Sequence, residues 1–205
     1  MRTRWFFLMI GAFIVLLLFA FPVWWPLVNK AAVNQELPGL ADLPPEEQPV
    51  IEQIAAEDRA LADALIAAGL ADPTIVPEVD QAMPEMQGPE VYATGEFTEI
   101  DAVRWARGTV TVYQLADGSW VIRLEDFEVR NGPQLHLFLS AHPAPRTTEE
   151  LRQDNLAFDW GPLQGTVGSQ NYRLPAEFDM GMVHSVVIFS LPYQEIFSSA
   201  ELIRQ

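Results

Sequence analysis

The densest apolar run lies at the start of the chain, from Trp5 to Val28, and it holds no charged residue. A helix rises about 1.5 Å per residue and the hydrocarbon core of a bilayer is about 30 Å thick, so about 20 such residues cross it. The run is apolar on every side, which predicts a transmembrane helix rather than a buried core helix. Trp24 and Trp25 fall where an interfacial aromatic belt lies. The run ends in Phe-Pro-Val-Trp-Trp-Pro-Leu, with no small-x-small cleavage site, so a retained anchor is expected. Beyond it the pattern breaks at Pro38, Gly39, Pro44, Pro45 and Pro49, which mark a linker. Helical spacing returns over about 49–68, where Ile51, Ile54, Leu61 and Leu65 share one face and Glu52, Arg59 and Asp63 the other. Pro49 suits its first turn, and Gly69 then Pro73 its end. The stripe is too short for several heptads, so this stalk helix is expected to pack on the domain after it rather than to form a coiled coil. Pro73, Pro77, Pro84 and Pro89 predict a second linker.

From Gly95 the period changes to two. Thr109-Val-Thr-Val-Tyr113 alternates, Asp117-Gly118 is a hairpin signal, and Trp120-Val-Ile-Arg-Leu124 is its partner. Asn131-Gly-Pro133 turns into Leu135-His-Leu-Phe-Leu139. A turn-rich loop over 165–169 precedes Tyr172-Arg-Leu174, and His184-Ser-Val-Val-Ile-Phe189 is short and apolar enough for a buried strand. Strands at this spacing predict a mainly β chain, an antiparallel β-sandwich. Three parts are expected: a cytoplasmic tip and anchor over 1–28, an acidic proline-rich linker over 29–90, and the β domain over 91–205.

Charge orients these parts. Arg2 and Arg4 precede the apolar run and Lys30 follows it. Residues 31–100 carry 15 acids and one base, Arg59, whereas residues 101–205 carry 13 acids and 8 arginines. Positive charge stays on the cytoplasmic side, so the β domain is expected outside, on a single-pass protein of the cell membrane. The net charge of −16 sits mainly in the segment after the anchor, and it argues against a nucleic-acid partner. The chain has no cysteine, which excludes disulfides, thiol redox chemistry and a lipoprotein anchor.

The pieces Gly95-Glu-Phe97, Gly108-Thr-Val-Thr-Val112, Leu124-Glu-Asp-Phe127, Asn131-Gly-Pro-Gln-Leu-His-Leu-Phe-Leu-Ser140, Gly168-Ser-Gln-Asn-Tyr172, Ser185-Val-Val-Ile-Phe189 and Phe197-Ser-Ser-Ala200 occur in this order. Over about residues 91–204 the chain thereby resembles the DM-thirteen domain of the electron-transfer DM-thirteen family. The resemblance implies a β-sandwich module outside the cytoplasm, often beside domains thought to bind haem or pass electrons. The redox role suggested for the family rests on one cysteine; its position here is Ser190, and Arg104 stands near the place of the family's histidine. A serine hydroxyl has no place on the thiol oxidation ladder, so that chemistry does not transfer.

Other chemistry has thin support. His136, His184 and Met182 are candidates for haem or copper ligation, with Met180 on the same face if residues 180–184 form a strand. The competing reading is satisfied histidines at the sheet and methionines in the core, with His142 an exposed loop residue. Ser140, Ser185 and Ser190 lack a Gly-x-Ser-x-Gly elbow and a positioned base, so no catalytic residue and no enzyme is expected. Asp101, Asp117, Glu125, Asp126 and Glu128 lack calcium-loop spacing, so no metal site is expected. Trp105, Trp120 and Trp160 either line a groove or fill the core. Two functions remain: a non-catalytic binding or structural module with an unknown protein partner and no cofactor, or an accessory of an electron-transfer system that binds haem or copper or docks a redox partner.

Overall fold

The computed structural model describes residues 37–75, 89–153 and 156–205. The expected membrane span over 5–28, and residues 29–36 and 76–88 of the expected linker, lie outside the described residues. Among the described residues, no helix is long and apolar enough to cross a membrane.

Pro38–Gln205 forms one compact unit. The expected single helix over 49–68 is two helices, α1 (Gln48–Glu57) and α2 (Arg59–Gly69), broken at Asp58. Asp58 sits in extended backbone (φ −137°, ψ 97°), and its carboxylate accepts the Leu61 N–H at 3.0 Å. A short side-chain acceptor that satisfies an orphan amide favours a new N-terminus over a continued helix. The pair does not stand off as a stalk. Ile51, Leu61, Ala62, Leu65 and Ile66 are buried, and the Arg130 guanidinium reaches up from the β domain to Glu47 and to the Leu65 carbonyl. Gly69 makes room for it, since a Cβ there would stand 2.4 Å from Arg130 Nη2. After α2, Thr74 pairs with Thr166 in both directions, Thr74 N–H to Oγ1 at 2.9 Å and Thr166 N–H to the Thr74 carbonyl at 2.8 Å.

Among the described residues the β domain has nine strands: β1 (Glu90–Glu99), β2 (Ala106–Gln114), β3 (Trp120–Val129), β4 (Leu135–Ser140), β5 (Ala157–Pro162), β6 (Gln170–Leu174), β7 (Ser185–Ser190), β8 (Glu195–Glu201) and β9 (Ile203–Arg204), with one short α-helix, α3 (Thr148–Arg152). All strand pairs are antiparallel. The order is β5-β4-β7-β8-β1-β2-β3-β6, with β9 also on β1. The mainly β, antiparallel expectation holds, but the two sheets of a sandwich are here one curled half-barrel sheet. The physical cause is β1. Its first part pairs with β2, while on its other side Thr94 faces Ile203 and Phe97 faces Ala200 in one register, so the strand joins both halves. Gly95 lies between those ladders, and a Cβ there would meet the Glu201 carbonyl oxygen at 2.3 Å, so only glycine permits this approach.

Alternation places the core on the concave side. Leu135, Leu137 and Leu139 are buried between less buried His136 and Phe138, and their partners across β7 are Ser190, Ile188 and Val186. Val110, Val112, Ile122 and Leu124 continue this core in β2 and β3, where Phe97 meets Phe127 edge to face. Burying each large side chain stabilises by about 1.5–3 kcal/mol. On the other face Leu151 of α3 covers Val187, Phe189 and Ile196. Helix α3 is held by a capping box, Thr147 and Glu150 bonding to each other's backbone.

Candidate functional site

Ser190 closes β7. Its neighbours across the sheet are Leu135 on β4 and Glu195 on β8, and it has no exposed surface. Its hydroxyl donates to the Pro133 carbonyl at 2.7 Å. That carbonyl belongs to the Asn131-Gly-Pro133 loop, which packs so tightly on Phe197 that a Cβ on Gly132 would lie 2.4 Å from the ring. The same loop is tied to the helices, because the Asn131 side-chain amide donates to the carbonyls of Ala71 and Asp72.

Arg104 lies in the turn between β1 and β2, at the same end. Asp101 accepts its Nε at 2.9 Å and its Nη2 at 2.6 Å, and also the backbone N–H groups of Val103 and Arg104. The remaining guanidinium nitrogen, Nη1, binds Glu195. Burial works to lower the Arg104 pKa, but the hydrogen bond and charge of Asp101, with the charge of Glu195, outweigh it and hold the pKa above its ordinary value. Glu195 therefore joins the two positions that the sequence singles out: it pairs with Ser190 along the sheet and binds Arg104 through its side chain. Sequence reasoning takes Asp101 only as a loop acid and misses Glu195 altogether; their part comes from strand pairing, which no local pattern reveals.

The other candidates do not converge. His136 faces away from the core on β4, with Nδ1 2.8 Å from Asp159 Oδ1. His184 lies just before β7, with Nδ1 2.8 Å from the Ala141 carbonyl. His136 pairs with Phe189 and His184 precedes Ser185, so the two histidines are about 16 Å apart at 3.3 Å per residue. Residues 180–182 form a 3-10 turn rather than a strand, which removes the shared face expected for Met180, Met182 and His184. Met180 is in the core and Met182 is half-buried. His142 is half-buried rather than exposed, with Nδ1 accepting the Ala144 N–H. Ser140 accepts the His142 N–H, and Ser185 donates to the His142 carbonyl, so both hydroxyls serve one turn. Among the described residues no three His, Cys, Asp or Glu side chains gather as a metal site. Asp101 is engaged by Arg104, Glu125 by Arg123, and Asp117 by Ser119. The tryptophans occupy separate places: Trp105 under Arg107, Trp120 buried against Tyr92, and Trp160 on Phe178.

The Gln-Asn-Tyr segment is built into β6. The Tyr172 hydroxyl donates to Gln170 Oε1 at 2.8 Å, and Gln170 Nε2 donates to the Gly165 carbonyl at 2.8 Å. Burial pushes the Tyr172 phenol up to about 12.

This geometry coincides with a family match. The family described as Electron transfer DM13 matches residues 96–202, more than half of the chain. The chain belongs to the electron transfer DM13 family. Its DM13 domain takes in β2 to β8 and the end of β1 from Glu96, with the Ser190 end, Arg104 and the Gln170–Tyr172 network all inside the match. No curated protein and no solved structure matches the chain.

Proposed function

We propose that this chain is a single-pass, membrane-anchored DM13 module displayed outside the cytoplasm, with a non-catalytic binding or structural role at the cell surface. The observation that carries the non-redox part is Ser190. At the position where the family has its cysteine, this chain has a fully buried hydroxyl committed to the Pro133 carbonyl. Arg104, near the place of the family's histidine, is a permanent cation neutralised by Asp101 and Glu195. Neither group accepts or releases an electron. The anchor rests on the apolar run over 5–28 with Arg2 and Arg4 before it.

The family's description favours a second reading, an accessory of an extracytoplasmic electron-transfer system that binds haem or copper, or docks a redox partner. Titration of the purified chain with haem and with copper, followed by absorbance, separates the two. A stoichiometric spectrum lost in His184→Ala or His136→Ala establishes the second reading; an unchanged spectrum leaves only partner docking for it. For the anchor, protease added outside intact cells is expected to digest the β domain, and its protection would reverse the orientation.

A further inference from the structure

Helix α3 covers only part of the outer face of β4 and β7. Beside it, between α3 and the β7–β8 turn, lies a pocket of about 300 Å³, at the small end of the range for ligand sites. Ser190 takes no part in it. The apolar lining is Phe138, Leu151, Ala157, Phe189 and Leu191. Phe138 and Phe189 form a tilted pair with ring centroids 5.0 Å apart. Phe138, Ala157 and Leu191 are only partly buried, so the pocket keeps apolar surface that the described residues leave open. Arg152 and Gln194 complete the lining, and among the described residues there Arg152 carries the only charge, in a chain of net charge −16. Arg152 has no ion pair and no hydrogen bond among the described residues. By contrast Arg59, Arg104, Arg107, Arg123 and Arg130 each hold a carboxylate. Gln194 has a φ of 56°, in the left-handed region that few residues other than glycine enter. The Thr148 hydroxyl donates to the Gln194 carbonyl and ties the β7–β8 turn to α3, so the pocket is framed in advance on both sides. Strain held in this way at a pocket rim marks a place where a side chain is put to use.

We propose that this pocket binds a small aromatic carboxylate, a single ring on a short chain. The ring adds to the Phe138–Phe189 pair, where aromatic edges and faces attract. The carboxylate meets Arg152, whose planar fork of donors matches two carboxylate oxygens, and the Gln194 amide supplies a further donor. One unpaired cation suits a monoanion. A phosphate would bring a second negative charge that no lining residue offsets, and a long acyl chain exceeds the volume.

The test is titration of the full chain, in detergent micelles, with phenylpropionate carrying a ring fluorine, followed by fluorine NMR at about 0.15 M salt, where loose surface electrostatics are screened. Uptake of the probe by the micelles does not saturate and is the same for every variant. Saturable one-to-one binding is expected, with a Kd on the order of 0.1–1 mM, as a fragment of this size gives. Arg152→Gln should weaken it about fivefold, the weight of a well-aligned exposed pair, and so should replacing the carboxylate of the probe by an amide. Ala157→Phe, which fills the pocket from the edge strand β5, should abolish it. Arg173→Gln removes the same charge from an exposed place on β6 and should bind like the parent. A urea midpoint close to that of the parent shows that each variant folds, and the exposed Arg152→Gln carries the test if Ala157→Phe does not. Absence of saturable binding overturns the proposal. So does parent-like binding by Arg152→Gln, by the amide or by a folded Ala157→Phe, and so does an equal loss in Arg173→Gln.

Discussion

The Arg130–Glu47 contact joins the helices to the β domain and predicts its own energetic weight. The Arg130 side chain is 4% exposed and that of Glu47 12%. Glu47 Oε2 accepts Arg130 Nε at 3.1 Å and Nη2 at 2.6 Å, and Nη1 and Nη2 both donate to the Leu65 carbonyl at 3.2 Å. Truncating one partner of such a buried pair costs about 3–5 kcal/mol, because the other charge is left desolvated. Glu47→Ala leaves the cation with two carbonyls, of Leu65 and Asn131, so the lower end of that range, about 3 kcal/mol, is expected. Arg130→Ala also empties volume beside Gly69 and should cost as much or more. Both substitutions together should cost well under the sum of the two, with a coupling of at least ~1.5 kcal/mol. Urea denaturation of the four chains, followed by tryptophan fluorescence, reads these values. A coupling below ~0.5 kcal/mol, the value of an exposed pair, would refute the claim that the helices are an integral part of the fold.

Other consequences come from single contacts. Ser190→Ala should destabilise by about 1–3 kcal/mol, because the Pro133 carbonyl loses its donor inside the core, while Ser190→Cys should fold and leave a thiol that Ellman's reagent reaches only after denaturation. Gly132→Ala should cost about 1–3 kcal/mol by forcing Phe197 aside, read as a lower urea midpoint. Tyr172 has a folded pKa of about 12, above its ordinary 10.0, so its contribution to stability is whole below pH 10 and is lost as pH rises through 12. Phenolate absorbance at alkaline pH should show one tyrosine titrating late, and Tyr172→Phe should remove that step.

Local chemistry made much of the β domain legible. Alternation located β2, since a strand with one buried face must repeat every two residues; turn signals marked β3, β4 and β6, and β7, buried at every position, showed as a short apolar run. Among the strands that escaped notice, β5 and β8 carry Gly161, Pro162 or a serine pair where apolar residues would mark a strand. Ser198 and Ser199 are buried because β8 lies between β1 and β7, a fact of pairing rather than of composition. Asp58 had a legible capping role, yet continuous apolar spacing on both sides concealed the helix break.

By itself the sequence determined the strand periodicity, the family, the absence of cysteine and the place of the acidic charge, because each depends on residue type or near-neighbour spacing. Tertiary structure alone decided that one strand, β1, welds two half-sheets into a half-barrel, and that Arg130 draws the helices onto it. It also decided that Glu195 links Ser190 to Arg104. Each of these joins residues far apart in the chain, and their meeting is set by register and burial, which no window of sequence contains.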